Sequence, residues 1–337
     1  MKPEVILWLL FLAPFVQGFG VQSSIRQEIK SIRRSRFPLF SSTNPIDLNE
    51  SIEGVANIAI GAWVPVGSVS SLSGLDPTCL ELFGHQLVVW QKFPTHWSVM
   101  MDECPHRFAP LSQGRVDPIT NCIECPYHGW QFHDNGTVAG IPQLEQDKEL
   151  PQRMSAEAFP VHIAGDLIFA FLPSYMHGES FTIDLLPEDY YQDLPEFLTP
   201  QVMFYTRELP YSWDFLVENL MDGPAHVAYA HNTIGAKRED AAPIPMKIRV
   251  SNFTHFDYQS SYVRHGEQRH RRLGFQRPFL THQETPRGPG GEWKRTLLFF
   301  CVPVREGYCR VITNFDTLVR ATDPGAPDWK VHLTNNR

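Results

Sequence analysis

The chain has 337 residues, of which 42% are hydrophobic and 20% charged, and its formal net charge is -8. These values are typical of a globular protein with room for two domains, and the net negative charge gives no reason to expect a nucleic-acid partner. The six cysteines do not suggest a disulfide framework, which belongs mainly to much shorter secreted chains. Three of them lie close together among histidines, which indicates metal binding: Cys104, Cys122 and Cys125.

The first 45 residues have the composition of targeting segments. The apolar run over residues 5–16 is shorter than the roughly 20 residues that span a membrane, so we interpret residues 1–18 as a signal peptide. Residues 19–45 are rich in Ser, Arg and Lys and hold a single acid, Glu28, which is typical of a plastid or mitochondrial transit peptide. This order resembles the bipartite presequence of algae whose plastids have several membranes, and it predicts a chloroplast location. Secretion with a basic linker stays open as the alternative.

Short strands and turns are predicted over residues 60–175. Residues 80–83 and 86–91 are apolar and β-prone, and they flank Gly84-His85. We predict this dipeptide as a two-residue hairpin turn with Gly first. The pattern indicates an all-β first domain.

A predicted strand over residues 97–101 leads into the pattern that carries the chemistry. It reads Cys104-x-His106, then eighteen residues, then Cys125-x2-His128. In a Rieske [2Fe–2S] cluster, one iron is held by two thiolates and the other by two imidazoles. Two loops that each supply one Cys and one His fit this cluster, so we predict these four residues as its ligands.

A mononuclear zinc site is the alternative for these loops. Zinc fingers pair Cys with Cys and His with His, whereas the order here alternates. Cys122 and Cys125 form a Cys-x2-Cys pair, which is also found in zinc ribbons and redox motifs. No second such pair exists in the sequence, so we interpret Cys122 as a strand residue that leads into the second loop.

A helix followed by strands is predicted in residues 176–337. The helix covers residues 211–229 and is interrupted near Gly223-Pro224. The strand-like runs are residues 247–253, 296–303 and 310–315. One helix over an antiparallel sheet is the arrangement of a helix-grip catalytic domain. The predicted fold class is therefore α+β, with an N-terminal all-β Rieske domain followed by a helix-grip domain.

Two histidines in this second region, His226 and His231, are candidates for an iron site. They suit the 2-His-1-carboxylate triad of non-haem Fe(II) oxygenases, which leaves positions open for O2. Five residues turn a regular helix about 140° away from a shared face, so the pair requires a π-bulge or a helix end. The irregularity at Gly223-Pro224 provides one.

The two loops resemble those of the pheophorbide a oxygenase and chlorophyllide a oxygenase group of Rieske-type non-haem iron oxygenases. The matching stretches are Cys104-Pro105-His106-Arg107, Ala109-Pro110-Leu111-Ser112, Gly114-Arg115, Tyr127-His128-Gly129-Trp130 and residues 136–143. The resemblance implies a [2Fe–2S] cluster, a mononuclear non-haem Fe(II), electrons from reduced ferredoxin, and O2 as oxidant. It also implies a tetrapyrrole substrate, a homotrimer and association with a plastid membrane.

The group places an acidic residue just ahead of the first iron-binding histidine, where it links the iron to the cluster of a neighbouring subunit. Asp222 has this position by resemblance, with Asn219 and Glu218 as alternates. The spacing Asp222-x3-His226 has one residue more than the plastid members usually have, and Gly223 looks like the insertion. The assignment of Asp222 as a catalytic residue depends on this insertion.

The third iron ligand of the group is a carboxylate further toward the C-terminus. Residues 327–332 resemble a family stretch that comes shortly before that residue, and Asp316, Asp323 and Asp328 are poor substitutes for it. We therefore expect the third ligand and the membrane anchors of the group to lie beyond Arg337.

Two further functions remain open from the sequence. One is a plastid redox sensor or interaction protein that retains only the cluster, and the other is an oxygenase for a sterol or a small aromatic substrate. The basic stretch over residues 264–277 reads as a solvated loop, or as a docking patch for an acidic ferredoxin or a tetrapyrrole carboxylate. Cys301 and Cys309 lie in apolar runs and are interpreted as core residues.

Overall fold

The computed structural model describes residues 61–72, 76–145, 147–173, 176, 187–191, 197–223, 243–264, 267–287 and 291–314. The targeting segments predicted over residues 1–45 lie outside these ranges, as do His226 and His231. All the described residues belong to one compact unit. No helix among them is long and apolar enough to cross a bilayer.

The described residues up to 173 form short strands, one single-turn helix and two 3-10 turns. The strands are β1 (Gly61–Ser68), β2 (Thr78–Leu82), β3 (His85–Phe93), β4 (His96–Met101), β5 (Arg115–Val116), β6 (Ile123–Glu124), β7 (Gln131–Phe132), β8 (Val138–Gly140), β9 (Ala158–Phe159), β10 (Val161–Ala164) and β11 (Leu167–Pro173). The helical turns are α1 (Val69–Leu72) and the 3-10 turns Leu111–Gln113 and Gln152–Met154. The strands form three antiparallel sheets, with the orders β1-β11-β10, β2-β3-β4-β9 and β5-β6-β7-β8. The prediction of an all-β first part is confirmed.

Strand β3 is buried on both faces and divides two cores. Leu87 and Val89 pack into a large core that also includes residues of the second part of the chain. Val88 and Trp90 pack into a smaller core beneath the two Cys-His loops. Successive side chains of a strand point to opposite faces, so a continuous apolar run can serve both cores.

The predicted hairpin exists, but the predicted turn was wrong by one residue. Strands β2 and β3 pair Leu82 with His85, which leaves Phe83 and Gly84 as the turn. Both have positive φ, 53° and 78°, as a type I′ turn requires. Phe83 tolerates this conformation because the turn is anchored: its amide donates to the carbonyl of Pro303 at 3.1 Å.

The second part is built on one large sheet. Its elements are α2 (Pro187–Tyr190), β12 (Tyr205–Leu209), α3 (Trp213–Asp222), β13 (Met246–Ser251), β14 (His255–Arg264), β15 (Glu267–Gln276), β16 (Leu280–Arg287), β17 (Glu292–Arg305) and β18 (Tyr308–Thr313). Seven strands form an antiparallel sheet in the order β12-β18-β17-β16-β15-β14-β13. The three predicted strand runs fall on β13, β17 and β18. The basic stretch over residues 264–277 is not a loop, because most of it is β15.

Helix α3 packs on this sheet and completes the helix-grip arrangement. It begins at Trp213, two residues later than predicted, and ends at Asp222, where Gly223 has a φ of +64°. The predicted span beyond the interruption, residues 224–229, lies outside the described residues. Leu216, Val217 and Met221 are buried, and the helix contacts strands β15 to β18. The predicted α+β fold class is confirmed.

The opposite face of the large sheet packs against the first part of the chain. Leu280, Phe300 and Val302 share one apolar core with Leu82 and Phe169. Cys301 and Cys309, on neighbouring strands, are fully buried and are core residues as predicted.

Candidate metal centre and active site

The two Cys-His loops have the same local design. The amide of Cys104 donates to the carbonyl of Ala109 at 2.9 Å, and the amide of Cys125 donates to the carbonyl of Trp130 at 2.8 Å. In both loops the hydrogen bond runs from the cysteine to the residue five positions later. Each loop therefore presents its Cys and its His from a closed backbone turn.

The two thiols lie side by side in the core beneath the loops. Cys104 is 1% exposed and Cys125 is 2% exposed. Burial, together with the neighbouring Cys125 thiol, raises the pKa of Cys104 to about 11. Thiols in such a place are protonated at neutral pH unless a metal cation is present, because a cation stabilises the thiolate.

The two imidazoles lie together closer to the surface. The ring centroids of His106 and His128 are 4.8 Å apart, and His106 stacks on Trp130 at 4.8 Å with an interplanar angle of 7°. Desolvation, followed by the nearby charges of His128 and Arg107, lowers the pKa of His106. A lowered pKa favours the neutral imidazole, which is the form that binds a metal.

One atom of this group lacks a partner that a metal would provide. The Nδ1 atom of His128 is buried and has no hydrogen-bond partner. A buried polar atom without a partner is costly, and metal coordination satisfies it. In the described ranges, no three His, Cys, Asp or Glu side chains lie close enough together to share a single ion. A pair of thiols and a pair of imidazoles suit a two-iron cluster in which one iron is held by two thiolates and the other by two imidazoles.

Side chains and backbone around the loops hold them in position. The buried carboxylate of Asp102 accepts hydrogen bonds from the amide of Ser112 at 2.7 Å and from its hydroxyl at 2.6 Å. Gly114 lies so close to the carbonyl oxygen of Glu124 that a Cβ there would be only 1.9 Å away. The first loop is thus packed directly against the strand that enters the second loop.

Comparison with known proteins identifies the domain that these loops belong to. Residues 62–162 match the family described as "Rieske [2Fe-2S] domain". The chain carries a Rieske domain. The cofactor of this family is a [2Fe–2S] cluster, and the donor set of two buried thiols and two imidazoles fits it.

The Rieske chain is related to chloroplastic oxygenases. Pheophorbide a oxygenase of Oryza sativa subsp. japonica is 34% identical over 198 residues, which cover 56% of this chain and 36% of that protein. Flavonoid 8-hydroxylase 2 of Ocimum basilicum is 31% identical over 306 residues, which cover 81% of this chain and 56% of that protein. The chain thus spans between about a third and just over half of the length of these relatives. The resemblance to the pheophorbide a oxygenase group is confirmed.

A solved structure supports the fold of the whole described region. Dicamba monooxygenase bound to dicamba aligns with a TM-score of 0.62 at 19% identity, over 81% of this chain and 85% of that chain. At this identity the likeness shows the fold alone. It extends beyond the Rieske domain into the large sheet, since the aligned share is much larger than residues 62–162.

A surface pocket of about 440 Å³ lies beside the imidazole pair of the Rieske domain. Its lining is His106, His128, Trp130, Ile141, Gln143, Leu144, Glu149 and Pro151. Two large side chains of the loops are also exposed, Phe108 at 71% and Tyr127 at 59%. The imidazole side of the centre is therefore accessible, whereas the thiol side is enclosed.

The described part of the second predicted site is the end of helix α3. Asp222 is its last residue and is exposed, and Glu218 and Asn219 lie about one turn earlier. His226 and His231 lie outside the described residues. The carbonyl of Met221 accepts a hydrogen bond from the hydroxyl of Tyr258, which is buried on the sheet.

Sequence reasoning missed two contributors to these sites. Trp130 is part of a motif in the second loop, but its sequence position alone does not predict that it stacks on the ring of His106. Tyr258 had no distinguishing pattern, because its contact with the helix end depends on tertiary packing.

Cys122 directly precedes β6, with its sulfur 3.5 Å from Nδ1 of His133.

Proposed function

We propose that the chain is a Rieske-type non-haem iron oxygenase that acts on a chlorophyll-type tetrapyrrole. Its [2Fe–2S] cluster would be held by Cys104, His106, Cys125 and His128. Its catalytic Fe(II) would be held by His226 and His231, with Asp222 linking the two centres. The Rieske domain would occupy residues 60–175 and the catalytic domain residues 176–337.

The observation that carries the proposal is the unpartnered Nδ1 of His128 beside a buried thiol pair. The thiols of Cys104 and Cys125 are enclosed, and the imidazoles of His106 and His128 are grouped on the accessible side. A Rieske cluster requires this division of donors between its two irons. In this arrangement solvent is excluded from the sulfur ligands, and electrons can enter from the histidine side.

When bound, the cluster supplies single electrons at a potential that its ligands and their surroundings set. The chain contributes the surroundings. Trp130 covers one face of His106 and restricts water there. The pocket beside His106 and His128 gives a redox partner access to the centre. Asp222, at the exposed end of α3, would accept hydrogen bonds from histidines of both centres.

The relatives favour a tetrapyrrole as substrate. Pheophorbide a oxygenase matches at 34% identity, although over only 36% of its own length. The second candidate is a small aromatic substrate. It is favoured by the flavonoid hydroxylase, which covers 81% of this chain. Turnover assays decide between the two.

The proposal also includes a location and partners. Both relatives are chloroplastic proteins, and residues 1–18 and 19–45 would direct this chain to a complex plastid. Reduced ferredoxin would supply the electrons and O2 the oxidant. A homotrimer with contact to a plastid membrane would bring the cluster of one subunit to the iron site of the next.

The first experiment tests the cluster. The purified chain is reduced with dithionite, and its EPR spectrum is recorded together with iron and zinc contents. We expect a Rieske-type signal that is lost in His106→Ala and Cys125→Ser but retained in Cys122→Ser, the matched control three residues from Cys125. Zinc without a reduced-state signal would refute the cluster. Iron near about three atoms per chain would support the mononuclear site, and about two would favour the redox-sensor function.

The second experiment tests the reaction. Anaerobically purified protein is supplied with reduced ferredoxin and O2, and with pheophorbide a, chlorophyllide a or a flavonoid. An oxygenated tetrapyrrole product is the expected result. Turnover of the flavonoid alone would transfer the function to the second candidate.

A further inference from the structure

Two side chains with unpaired polar atoms face each other on the large sheet. Strands β14 and β15 pair Ser260 directly with Arg271, so both side chains project from the same face. Ser260 is 1% exposed, and its hydroxyl oxygen has no hydrogen-bond partner. The Nε atom of Arg271 is buried and also lacks a partner.

Arg271 differs from the neighbouring arginines because no carboxylate of the residues that the structure describes pairs with it. Arg269 pairs with Glu267 at 2.5 Å, and Arg272 pairs with Glu284 at 3.4 Å. Among the described residues, the guanidinium of Arg271 contacts the hydroxyl and the ring of Tyr262, with 3.3 Å between Nη2 and the oxygen. A half-buried cation without an anion is unfavourable, and a ligand carboxylate would compensate it.

The pair lies next to the end of helix α3. Tyr258 and Leu273 form the adjacent pair on the same face of β14 and β15. The hydroxyl of Tyr258 donates to the carbonyl of Met221. A Cβ at Gly223 would lie 2.9 Å from the Leu273 side chain and 3.3 Å from the Tyr258 hydroxyl. Ser260 and Arg271 are therefore one pair of residues away from the point where α3 leads into the proposed iron ligands.

We propose that Arg271 and Ser260 form a subsite that binds a carboxylate of the substrate. Nε and Nη2 lie on one edge of the guanidinium and match the two oxygens of a carboxylate, and the Ser260 hydroxyl adds a third donor. The inference rests on the proposed oxygenase function and sharpens it. Pheophorbide a is a carboxylic acid, whereas a flavonoid is a neutral polyphenol. The subsite therefore selects the acidic tetrapyrrole.

The test compares an acid with its ester. Binding of pheophorbide a and of its methyl ester is titrated under anaerobic conditions by fluorescence, and turnover of both is measured with the iron-loaded protein. We expect the wild type to prefer the acid by about 10- to 100-fold in Kd, which is the effect of one charge-assisted hydrogen-bonded pair. Arg271→Gln should remove this preference, and the loss should appear in KM more than in kcat.

Three variants show whether the effect belongs to this subsite. Arg271→Lys keeps the charge but loses the planar edge, so it should retain part of the preference. Ser260→Ala should reduce the preference by a smaller factor than Arg271→Gln. Arg269→Gln removes the same charge two residues away, where the side chain is exposed and already paired, and should leave the preference unchanged.

The outcomes separate this inference from the proposed function. If the wild type turns over acid and ester equally, or if Arg271→Gln keeps the preference, the subsite is refuted while the oxygenase function stands. If neither compound binds the wild type, the tetrapyrrole function fails and the subsite fails with it. The acid-to-ester ratio is taken within each variant, so a general loss of stability cannot imitate the expected result.

Discussion

Replacing Gly114 by Ala tests whether the two cluster loops depend on close backbone packing. A Cβ at Gly114 would lie 1.9 Å from the carbonyl oxygen of Glu124, whereas such contacts essentially never fall below 3.0 Å. The two segments would have to separate by more than about 1 Å, and no flexible side chain is available to absorb the shift. The φ of Gly114 is -88°, so the clash, and not backbone strain, determines the effect.

The magnitude follows from the type of clash. Overpacking lowers the free energy of unfolding by about 1–3 kcal/mol. A clash with a backbone atom belongs at the upper end of this range, at about 3 kcal/mol. For a folded region of this size, the melting temperature falls by about 2–4 °C for each kcal/mol, which gives about 6–12 °C. Glu124 directly precedes Cys125, so we also expect a lower iron content in Gly114→Ala.

The assay is thermal unfolding of the reduced protein by circular dichroism, together with iron content. Gly140→Ala is the matched control. Gly140 lies on β8 of the same sheet, and the nearest atom to a new Cβ would be the side-chain oxygen of Gln131 at 3.5 Å. The control should melt within about 2 °C of the wild type. If Gly114→Ala melts at the same temperature as the control and binds as much iron as the wild type, the two loops do not depend on close backbone packing.

Three further changes test other parts of the chain. Asp222→Asn should leave the reduced-state EPR signal unchanged. It should lower turnover by about 10- to 100-fold, because a hydrogen bond to a charged carboxylate is lost. An equal loss of turnover in the control Glu218→Gln would contradict the role of Asp222. Tyr258→Phe removes the hydroxyl that donates to the Met221 carbonyl and should lower the free energy of unfolding by about 1 kcal/mol; an unchanged melting temperature would refute this. Burial raises the pKa of Asp257, partly opposed by Arg249, so its ionised form destabilises the fold above the unfolded-state pKa of about 3.9. Asp257→Asn should therefore melt higher than the wild type at pH 7, with a gap that narrows as the pH is lowered toward about 4, and a lower melting temperature at pH 7 would contradict the argument.

The Rieske loops could be predicted from the sequence because their chemistry is local. Cys104 and His106 are two residues apart, and so the spacing of the donors survives in the linear sequence. Backbone turns within each loop then hold the Cys and the His of that loop close together. The closing hydrogen bond from Cys125 to Trp130 could not be predicted, since no residue type is required for a backbone carbonyl.

The hairpin shows where local rules fail. The sequence suggested a two-residue turn made of Gly84 and His85, with the glycine at the first position, as in a type II′ turn. The chain instead uses Phe83 at positive φ, because the turn amides reach the carbonyls of Pro303 and Val304. These partners are more than 200 residues away in sequence, so a tertiary contact outweighed the local preference of Phe83.

The face of the large sheet that carries Ser260 and Arg271 was the least predictable part. The basic stretch over residues 264–277 suggested a docking surface, but only the alternation of a strand separates Arg271 from Arg272. Arg271 projects with Ser260, whereas Arg272 projects to the other face and meets Glu284. The register of β14 and β15 decides which arginine shares a face with Ser260, and no motif in the sequence encodes this register.

The Rieske domain is fastened to the large sheet by several kinds of contact at one place. The amides of Phe83 and Gly84 donate to backbone carbonyls of β17, and Arg305 forms an ion pair with Glu81 at 2.6 Å. The shared apolar core continues beneath this contact. A rotation of one part against the other would break these hydrogen bonds and expose that core together, so the two parts should keep a fixed relation within the chain. A change at this junction should therefore lower the stability of the folded chain.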